Sequence, residues 1–271
     1  DWVYIDWADM DKDGPLCAEQ MLYAACFRVM AEISEQLGKD GSAYRQEYGK
    51  LTAAIEKFFW DEEKGAYIDS FTSGKRNVTR HANIFAILFD IADKQKQEKI
   101  LTNVLENDEI PAITTPYFNF FELDVLCQMG KLTEVLDKIR SYWGGMLDLG
   151  AVTFWEEYDP SVPKEEQYDM YGDHFGKSLC HAWAASPIYF LAKYFAGLDL
   201  VNKDGVTYVL KPQMQYFTDL DCTLPVGSDG TVRLAWDGEC LEVTADAEGG
   251  VLELGEEKIS LVRGETRRVK I

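Results

Sequence analysis

The sequence predicts a mainly α-helical fold: an α/α toroid of alternating inner and outer helices, followed by a small antiparallel β-sandwich. Three observations carry that expectation. Helical segments alternate between two apolar patterns, the links between them alternate between short and long, and the texture of the chain changes after Gly197. A helix enclosed on all sides is apolar around its circumference, whereas one on the outside turns a polar face to water.

Segment 16–37 is of the enclosed kind and follows Asp13-Gly14-Pro15, which puts proline at a first helical position. Segment 44–59 is of the outer kind. Segment 79–91 is enclosed, most clearly at Ile84-Phe-Ala-Ile-Leu-Phe89, and Thr79 can cap it. In 95–105, Ile100, Leu101, Val104 and Leu105 recur at helical spacing among charges, so this segment lies outside. Segment 117–129 is enclosed. Segment 132–143, with Leu132, Val135, Leu136 and Ile139 at the same spacing, is outer, and 178–195 is enclosed. Gly38 and Gly130 suit helix C-terminal ends. The order is therefore inner, outer, inner, outer, inner, outer, inner.

Inner-to-outer links are tight (38–41, 92–94 and Gly130 alone), and outer-to-inner links are long (60–78, 106–116 and 144–177). Because successive helices run antiparallel, the long links gather at one mouth together with residues 1–14. Long ordered loops collected on one face of a rigid scaffold usually carry function. The first helix has no outer partner ahead of it. Residues 1–197 thus read as the C-terminal portion of a barrel whose earlier helices lie outside this sequence, with apolar helix faces left open to self-association.

From residue 198 to 271 helical periodicity stops. Short alternating runs appear at 206–210, 231–236, 240–244, 251–254, 258–262 and 267–271, punctuated by turn residues at Ser228-Asp-Gly230, Asp237-Gly238 and Gly249-Gly250. These read as a small sandwich packed as a structural appendix. A carbohydrate-binding role is the alternative, for which only Trp236 and Tyr216 speak.

With 46% apolar residues and 13% aromatics in 271 residues, the chain can bury a substantial core. A formal charge of -20 argues against nucleic acid and anionic membrane surfaces, which require clustered Lys and Arg, and a neutral substrate fits best. No apolar run of roughly 18 residues suggests a membrane span. The six cysteines (17, 26, 127, 180, 222, 240) form no CxxC, and free buried thiols are expected rather than disulfides or a metal site. The three histidines (81, 174, 181) lack ligand spacing, so neither metal nor cofactor is expected. Nucleotide, dinucleotide, zinc-protease and serine-hydrolase motifs are missing.

Four constellations fall at the mouth. The sharpest is Gly150-Ala-Val-Thr-Phe-Trp-Glu-Glu-Tyr158, where Glu156 and Glu157 are flanked by Trp155 and Tyr158. Glycosidic hydrolysis needs a carboxylate to deprotonate water and an acid to protonate the departing oxygen, and aromatic surroundings desolvate a glutamate. The plain alternative is a surface acidic pair beside a structural tryptophan. Asp6-Trp7, echoing Asp1-Trp2, can bond sugar hydroxyls while the indole packs on a pyranose, or can be an acidic loop with a core tryptophan. Arg80-His81 opens an inner helix and is more often structural. Ser178-Leu-Cys-His181 opens the last inner helix, which aims His181 into the mouth.

Gly150-Ala-Val-Thr-Phe-Trp-Glu156 followed by Ser178-Leu-Cys-His181-Ala-Trp-Ala-Ala-Ser-Pro187 resembles the α-L-rhamnosidases of glycoside hydrolase family 78. Ile5-Asp6-Trp7, Thr115-Pro116-Tyr-Phe-Asn-Phe120 and the closing β-domain look like that family too. The resemblance implies an (α/α)6 barrel and inverting hydrolysis of terminal, non-reducing α-L-rhamnose from a rhamnose-containing oligosaccharide, polysaccharide or glycoside. It makes Glu156 the match for the general base, with Glu157 less favoured, and His181 a residue lining the sugar site. Trp7 looks like the pocket's aromatic wall, with Asp6 beside it and Trp155 before the base. The family's general acid lies in an acidic, Arg-containing motif that no segment here matches, so the N-terminal part of the barrel is an expected partner and this piece alone is expected to be inactive. The other readings are a non-catalytic sugar-binding scaffold, and a toroid epimerase or lyase leaning on Arg80, His81 and Tyr117.

Overall fold

The computed structural model describes residues 4–203, 205–228 and 230–271. The pair Asp1-Trp2 and the central Asp229 of the turn expected at 228–230 lie outside the described residues. The helices are α1 (Cys17–Gln36), α2 (Ser42–Phe59), α3 (Arg80–Leu88), α4 (Lys94–Ile100), α5 (Pro116–Gln128), α6 (Leu132–Lys138), α7 (Gly144–Asp148) and α8 (Ser186–Phe190). Wider π-helical turns prolong α4 to Leu105, α6 to Trp143 and α8 to Phe195. By contacts the chain divides into one unit of Asp1–Gly130 and Tyr142–Ala184 and a second of Lys131–Ser141 and Ala185–Ile271.

In the first unit, α1 packs on α2 and α3, and α3 packs on α5 and α4. Two of these helices start on a side-chain cap; α1 begins at Cys17, past the expected Pro15, and Thr79 precedes α3 without capping it, since its hydroxyl donates to Asp69. The Thr115 hydroxyl accepts the Phe118 N–H at 3.1 Å and Pro116 occupies the first turn of α5, while Asp93 accepts from the Lys96 N–H at 2.9 Å to open α4. The core runs through Leu16, Met21, Ile55, Phe59, Ile84, Phe85, Ile100, Val104, Phe118 and Val125. Ahead of α3 the chain makes a short hairpin, β1 (Trp60–Asp61) with β2 (Ala66–Tyr67). Asn83 of α3, fully buried, clamps that hairpin: Oδ1 accepts the Tyr67 N–H at 2.9 Å and Nδ2 donates to the Tyr67 and Thr79 carbonyls, each at 2.9 Å.

Four expectations about the helices and the thiols are corrected. Segment 178–195 is not one helix: residues 178–181 are irregular with a bend at Leu179 and Cys180, a 3-10 turn covers Ala182–Ala184, and α8 begins only at Ser186. The link after Trp143 continues as helix α7 despite Gly144 and Gly145. Helix α1 is not enclosed on all sides, for Leu22, Tyr23, Val29, Met30 and Ile33 are exposed. Nor are all the thiols buried: Cys26 and Cys180 are exposed. Among the described residues no helix is long and apolar enough to cross a membrane.

The second unit holds two four-stranded sheets. Their strands are β3 (Leu198–Lys203), β4 (Val206–Leu210), β5 (Leu220–Val226), β6 (Gly230–Trp236), β7 (Cys240–Ala245), β8 (Gly250–Leu254), β9 (Glu257–Leu261) and β10 (Thr266–Lys270). One sheet runs β10-β7-β6-β5, the other β3-β4-β8-β9. Alternate residues Val232, Leu234, Leu241 and Val243 point inward and meet Tyr208, Leu210 and Leu252. Strands β3 and β5 were not expected. In β5, Pro225 interrupts the run, and the strand is tolerated because it lies at a sheet edge. The sandwich is also not wholly antiparallel, since β4 pairs β8 in parallel.

Replacing Asn83 with Ala takes the side-chain partner from the Tyr67 N–H and the Tyr67 carbonyl in a closed core, while the Thr79 carbonyl keeps its helical bond, and each unmet buried group costs about 1–3 kcal/mol. Asn83→Ala is therefore expected to destabilise the first unit by at least about 2 kcal/mol in chemical denaturation, with Asn83→Asp no better than a partial substitute.

Candidate active site

The link between α7 and α8 builds its own frame. The Glu156 N–H donates to the Ser178 carbonyl at 2.9 Å and the His181 N–H donates to the Phe154 carbonyl at 2.8 Å, so 154–156 and 178–181 run side by side. The Trp183 indole N–H donates to the Glu156 carbonyl at 2.9 Å. Gly145 of α7 lets this frame close, because a Cβ there would stand 2.4 Å from the Tyr158 hydroxyl. Trp155 and Glu156 are both buried along this stretch. Trp155 meets the Tyr168 ring at 5.5 Å, while Glu157 lies 3.8 Å from the buried Lys177 ammonium.

The Glu156 carboxylate is only 6% exposed and is held at both oxygens. The Ser178 backbone N–H donates to Oε2 at 2.9 Å, and the Tyr171 hydroxyl donates to Oε1 at 3.1 Å. The His181 Nδ1 stands 3.9 Å from Oε2. Five rings, those of Trp7, Tyr117, Tyr171, His181 and Trp183, form a connected cluster, of which Tyr171 and His181 reach the carboxylate. Trp183 stacks on Tyr117 at 5.5 Å, meets Trp7 edge-on at 5.1 Å and lies 4.7 Å from the His181 ring. Trp7 also meets Tyr171 edge-on at 6.3 Å. Glu156, His181, Trp7 and Tyr117, drawn from four separate stretches of sequence, thus come together.

Asp6 sits one layer back, buried, with both oxygens engaged inside the protein. Oδ1 accepts the Thr115 hydroxyl at 2.7 Å and Oδ2 accepts from the His81 Nε2 at 2.9 Å. A carboxylate can only accept, so the His81 proton is on Nε2. The His81 Nδ1 lies 3.3 Å from the Thr79 hydroxyl, which donates to Asp69 at 2.7 Å. His81 is therefore a buried tie between Asp6 and the start of α3. Arg80 turns elsewhere, pairing with Glu122 at 2.6 Å.

Sequence reasoning missed Tyr4, Tyr171 and Trp183 as members of this cluster. Trp183 stood inside the Ser178–Pro187 motif but had no visible partner. Tyr171 precedes Gly172, a dipeptide that marks a turn without saying what the turn faces. Tyr4 reports the field of the site: burial first, then the charges of Asp6 and Glu156, push its phenol up to about 12. Burial and Asp6 also raise the Tyr117 phenol. The cluster is an aromatic-walled rim with carboxylate charge beneath it. Such an arrangement can pack on the C–H face of a sugar, take a proton from water, and stabilise positive charge developing at an anomeric carbon.

Asp6→Ala removes a buried acceptor from both His81 and Thr115, and the expected loss is about 2–4 kcal/mol, seen in chemical denaturation together with a changed Trp7 fluorescence. Tyr4 supplies a pH dependence. The folded state keeps its proton above the unfolded phenol value of 10, so this contribution to stability is whole below pH 10 and is lost as pH rises toward 12. Tyr4→Phe is expected to flatten the loss of thermal stability across that window.

Comparison with known proteins now bears on this geometry. A model of the bacterial alpha-L-rhamnosidase six-hairpin glycosidase domain matches residues 1–195. A GH78 family rhamnosidase of Bacillus sp. GL1 superposes over 94% of this chain with a TM-score of 0.77 at 23% identity. The rhamnosidase from Klebsiella oxytoca, solved with rhamnose bound, is 31% identical over 71% of the chain, with a TM-score of 0.60. A Streptomyces avermitilis alpha-L-rhamnosidase complexed with L-rhamnose gives 0.61 over 86% of the chain at 16% identity. The chain spans only 28%, 36% and 22% of those three proteins respectively. No curated protein matches. By the match over residues 1–195, the chain belongs to the bacterial alpha-L-rhamnosidases with a six-hairpin glycosidase domain and has a glycoside hydrolase fold of that family.

Proposed function

We propose that this chain is the C-terminal part of an inverting α-L-rhamnosidase and that Glu156 is its general base. In this reading residues 1–197 complete an (α/α)6 barrel of alternating inner and outer helices, and residues 198–271 form a small β-sandwich domain. The range of the family match, ending at 195, and the first strand of the sandwich at Leu198 support that division. The substrate is a terminal α-L-rhamnose on an oligosaccharide, polysaccharide or glycoside. The two relatives solved with rhamnose support the choice of sugar.

The observation that carries the reading is the Glu156 carboxylate, fixed at both oxygens beside the Trp7, Trp183 and His181 rings. Each carboxylate oxygen has a further lone pair, so Oε1 can accept from Tyr171 and still bind a water. Glu156 removes a proton from that water as its oxygen attacks the anomeric carbon, and the bond to the departing oxygen breaks on the opposite face. Trp7 and Trp183 form the wall on which the sugar packs, and His181 bonds its hydroxyls. Asp6 and His81 hold Trp7 in place, Tyr117 backs Trp183, and Trp155 seats the base from the buried side. Glu157, paired with Lys177, balances charge near the base rather than acting as a base.

Inversion needs an acid roughly 6.5–9.5 Å across the bond from the base. No segment of this sequence resembles the family's acidic, Arg-containing acid motif, and we assign that group to a part of the polypeptide outside these 271 residues.

The decisive experiment uses a polypeptide carrying the whole catalytic domain and an aryl α-L-rhamnoside. Glu156→Gln is expected to lower kcat about 10²–10⁴-fold with little change in KM. Undiminished turnover removes Glu156 from the base role, and binding of rhamnose by the complete wild-type polypeptide without turnover replaces the hydrolase with a sugar-binding protein. The 271-residue chain alone is expected to release no aglycone.

A further inference from the structure

We propose that Tyr171 is a positioning residue for Glu156, aimed at the carboxylate by the strained turn that carries it. This rests on the reading of Glu156 as the base.

Residues 168–177 form a small finger. Met170 and Asp173 exchange both backbone hydrogen bonds, N–H to O at 3.0 and 2.9 Å, and the Lys177 N–H returns to the Tyr168 carbonyl at 3.2 Å. The finger closes tightly, since a Cβ on Gly176 would stand 2.1 Å from the Met170 carbonyl. At the tip, Tyr171 and Gly172 take φ of +55° and +82°, both left-handed, as in the turn whose twist matches a hairpin. Glycine or asparagine fits the first of these positions without strain, and a bulky aromatic residue does not. Burial does not explain the choice, because Tyr171 is 77% exposed. Its contacts do: the hydroxyl donates to Glu156 Oε1 at 3.1 Å and the ring meets Trp7 edge-on. A residue held in a sparsely populated conformation by a polar contact to a candidate base is where such strain tends to have a use.

The use follows from the geometry of a carboxylate. The Ser178 N–H alone fixes one oxygen and leaves the group free to swing about its terminal torsion, which is broad for glutamate. The Tyr171 hydroxyl fixes the other oxygen, so the remaining lone pair of Oε1 points in one direction. A donor to the charged form also favours that form. The titratable groups that face Glu156 are Tyr4, Tyr171 and His181, and Glu157 acts on Tyr171 and lies against Lys177. Of these, Tyr171 is the side chain that donates to the carboxylate at hydrogen-bond distance among the described residues.

The test is made on the polypeptide with the whole catalytic domain, with Tyr171→Phe, Gly172→Val and Glu156→Gln compared. Tyr171→Phe keeps the ring and removes the donor. The expected result is a kcat lower by about tenfold with KM within about twofold. Gly172→Val, which cannot take a φ of +82° at ease, is expected to reproduce this split by misdirecting the phenol. A kcat for Tyr171→Phe that matches the wild type, while Glu156→Gln has lost activity, overturns this inference and leaves the base assignment standing. Full activity in Glu156→Gln overturns both.

Discussion

The buried carboxylate of Asp6 is the tie on which the site is hung. It joins a segment near the start of the chain to the openings of two helices far along it, through His81 beside the first residue of α3 and Thr115 ahead of the first residue of α5. A charge buried this deeply is tolerable only when its lone pairs are met. Both partners therefore have to be in register before the carboxylate can be enclosed. The consequence for function is positional. With Asp6 pinned, Trp7 has one place to go, and that place is against Trp183 and Tyr171.

The same logic continues outward from His81. Thr79, 3.3 Å from the imidazole, donates to Asp69, and Asp69 also accepts from Asn77 at 2.6 Å and the Asp11 N–H at 3.1 Å. Burial lifts the Asp69 carboxyl above its usual range while these donors pull it down. The chain around Asp69 thus links residues 6–11, the hairpin before α3 and the residue ahead of α3. On the far side of the rim the link 154–181 is shaped largely by its own backbone, seated on α7 at Gly145 and on the Tyr142 hydroxyl. Two backbone hydrogen bonds set Glu156 beside Ser178 and His181, and the carboxylate then closes on the Ser178 N–H. One wall of the rim is held by the helical scaffold and the other by its own short ladder.

How much of this was legible follows from what kind of interaction decided each piece. Periodicity reports burial, so α1 to α6 and most sandwich strands could be read along the chain. It fails where burial and helicity part company. The stretch 178–185 is apolar enough for a helix, yet its Ser178 carbonyl and His181 N–H bond to 156 and 154 instead, and only a 3-10 turn follows at Ala182–Ala184. Helix α1 is apolar enough to be enclosed, yet Leu22, Met30 and Ile33 stay exposed. Strand β5 hid behind Pro225, whose missing N–H matters only in the interior of a sheet. Within the site, Glu156, Trp7 and His181 carried recognisable neighbours in sequence. Tyr171 and Trp183 did not, because their value depends on contacts reached only after folding. Asp6 was visible as an acid beside an indole, but not that both its oxygens are used within the protein.

That last point changes what the two acidic residues do for each other. A carboxylate exposed to sugar hydroxyls and one enclosed behind an aromatic wall act through different physics. The enclosed one makes few contacts with anything that enters, yet its charge is poorly screened, since low-polarity rings rather than water lie between it and the rim. Its field adds to that of Glu156, and Tyr4, raised first by its burial and then by these charges, holds its proton to about 12. A field of this sign disfavours anions and stabilises positive charge at the rim. The formal charge of -20 spread over the chain points the same way but is a blunt measure. Two carboxylates fixed in place, one touching and one acting at a distance through rings, are what the charge of this protein amounts to at the rim.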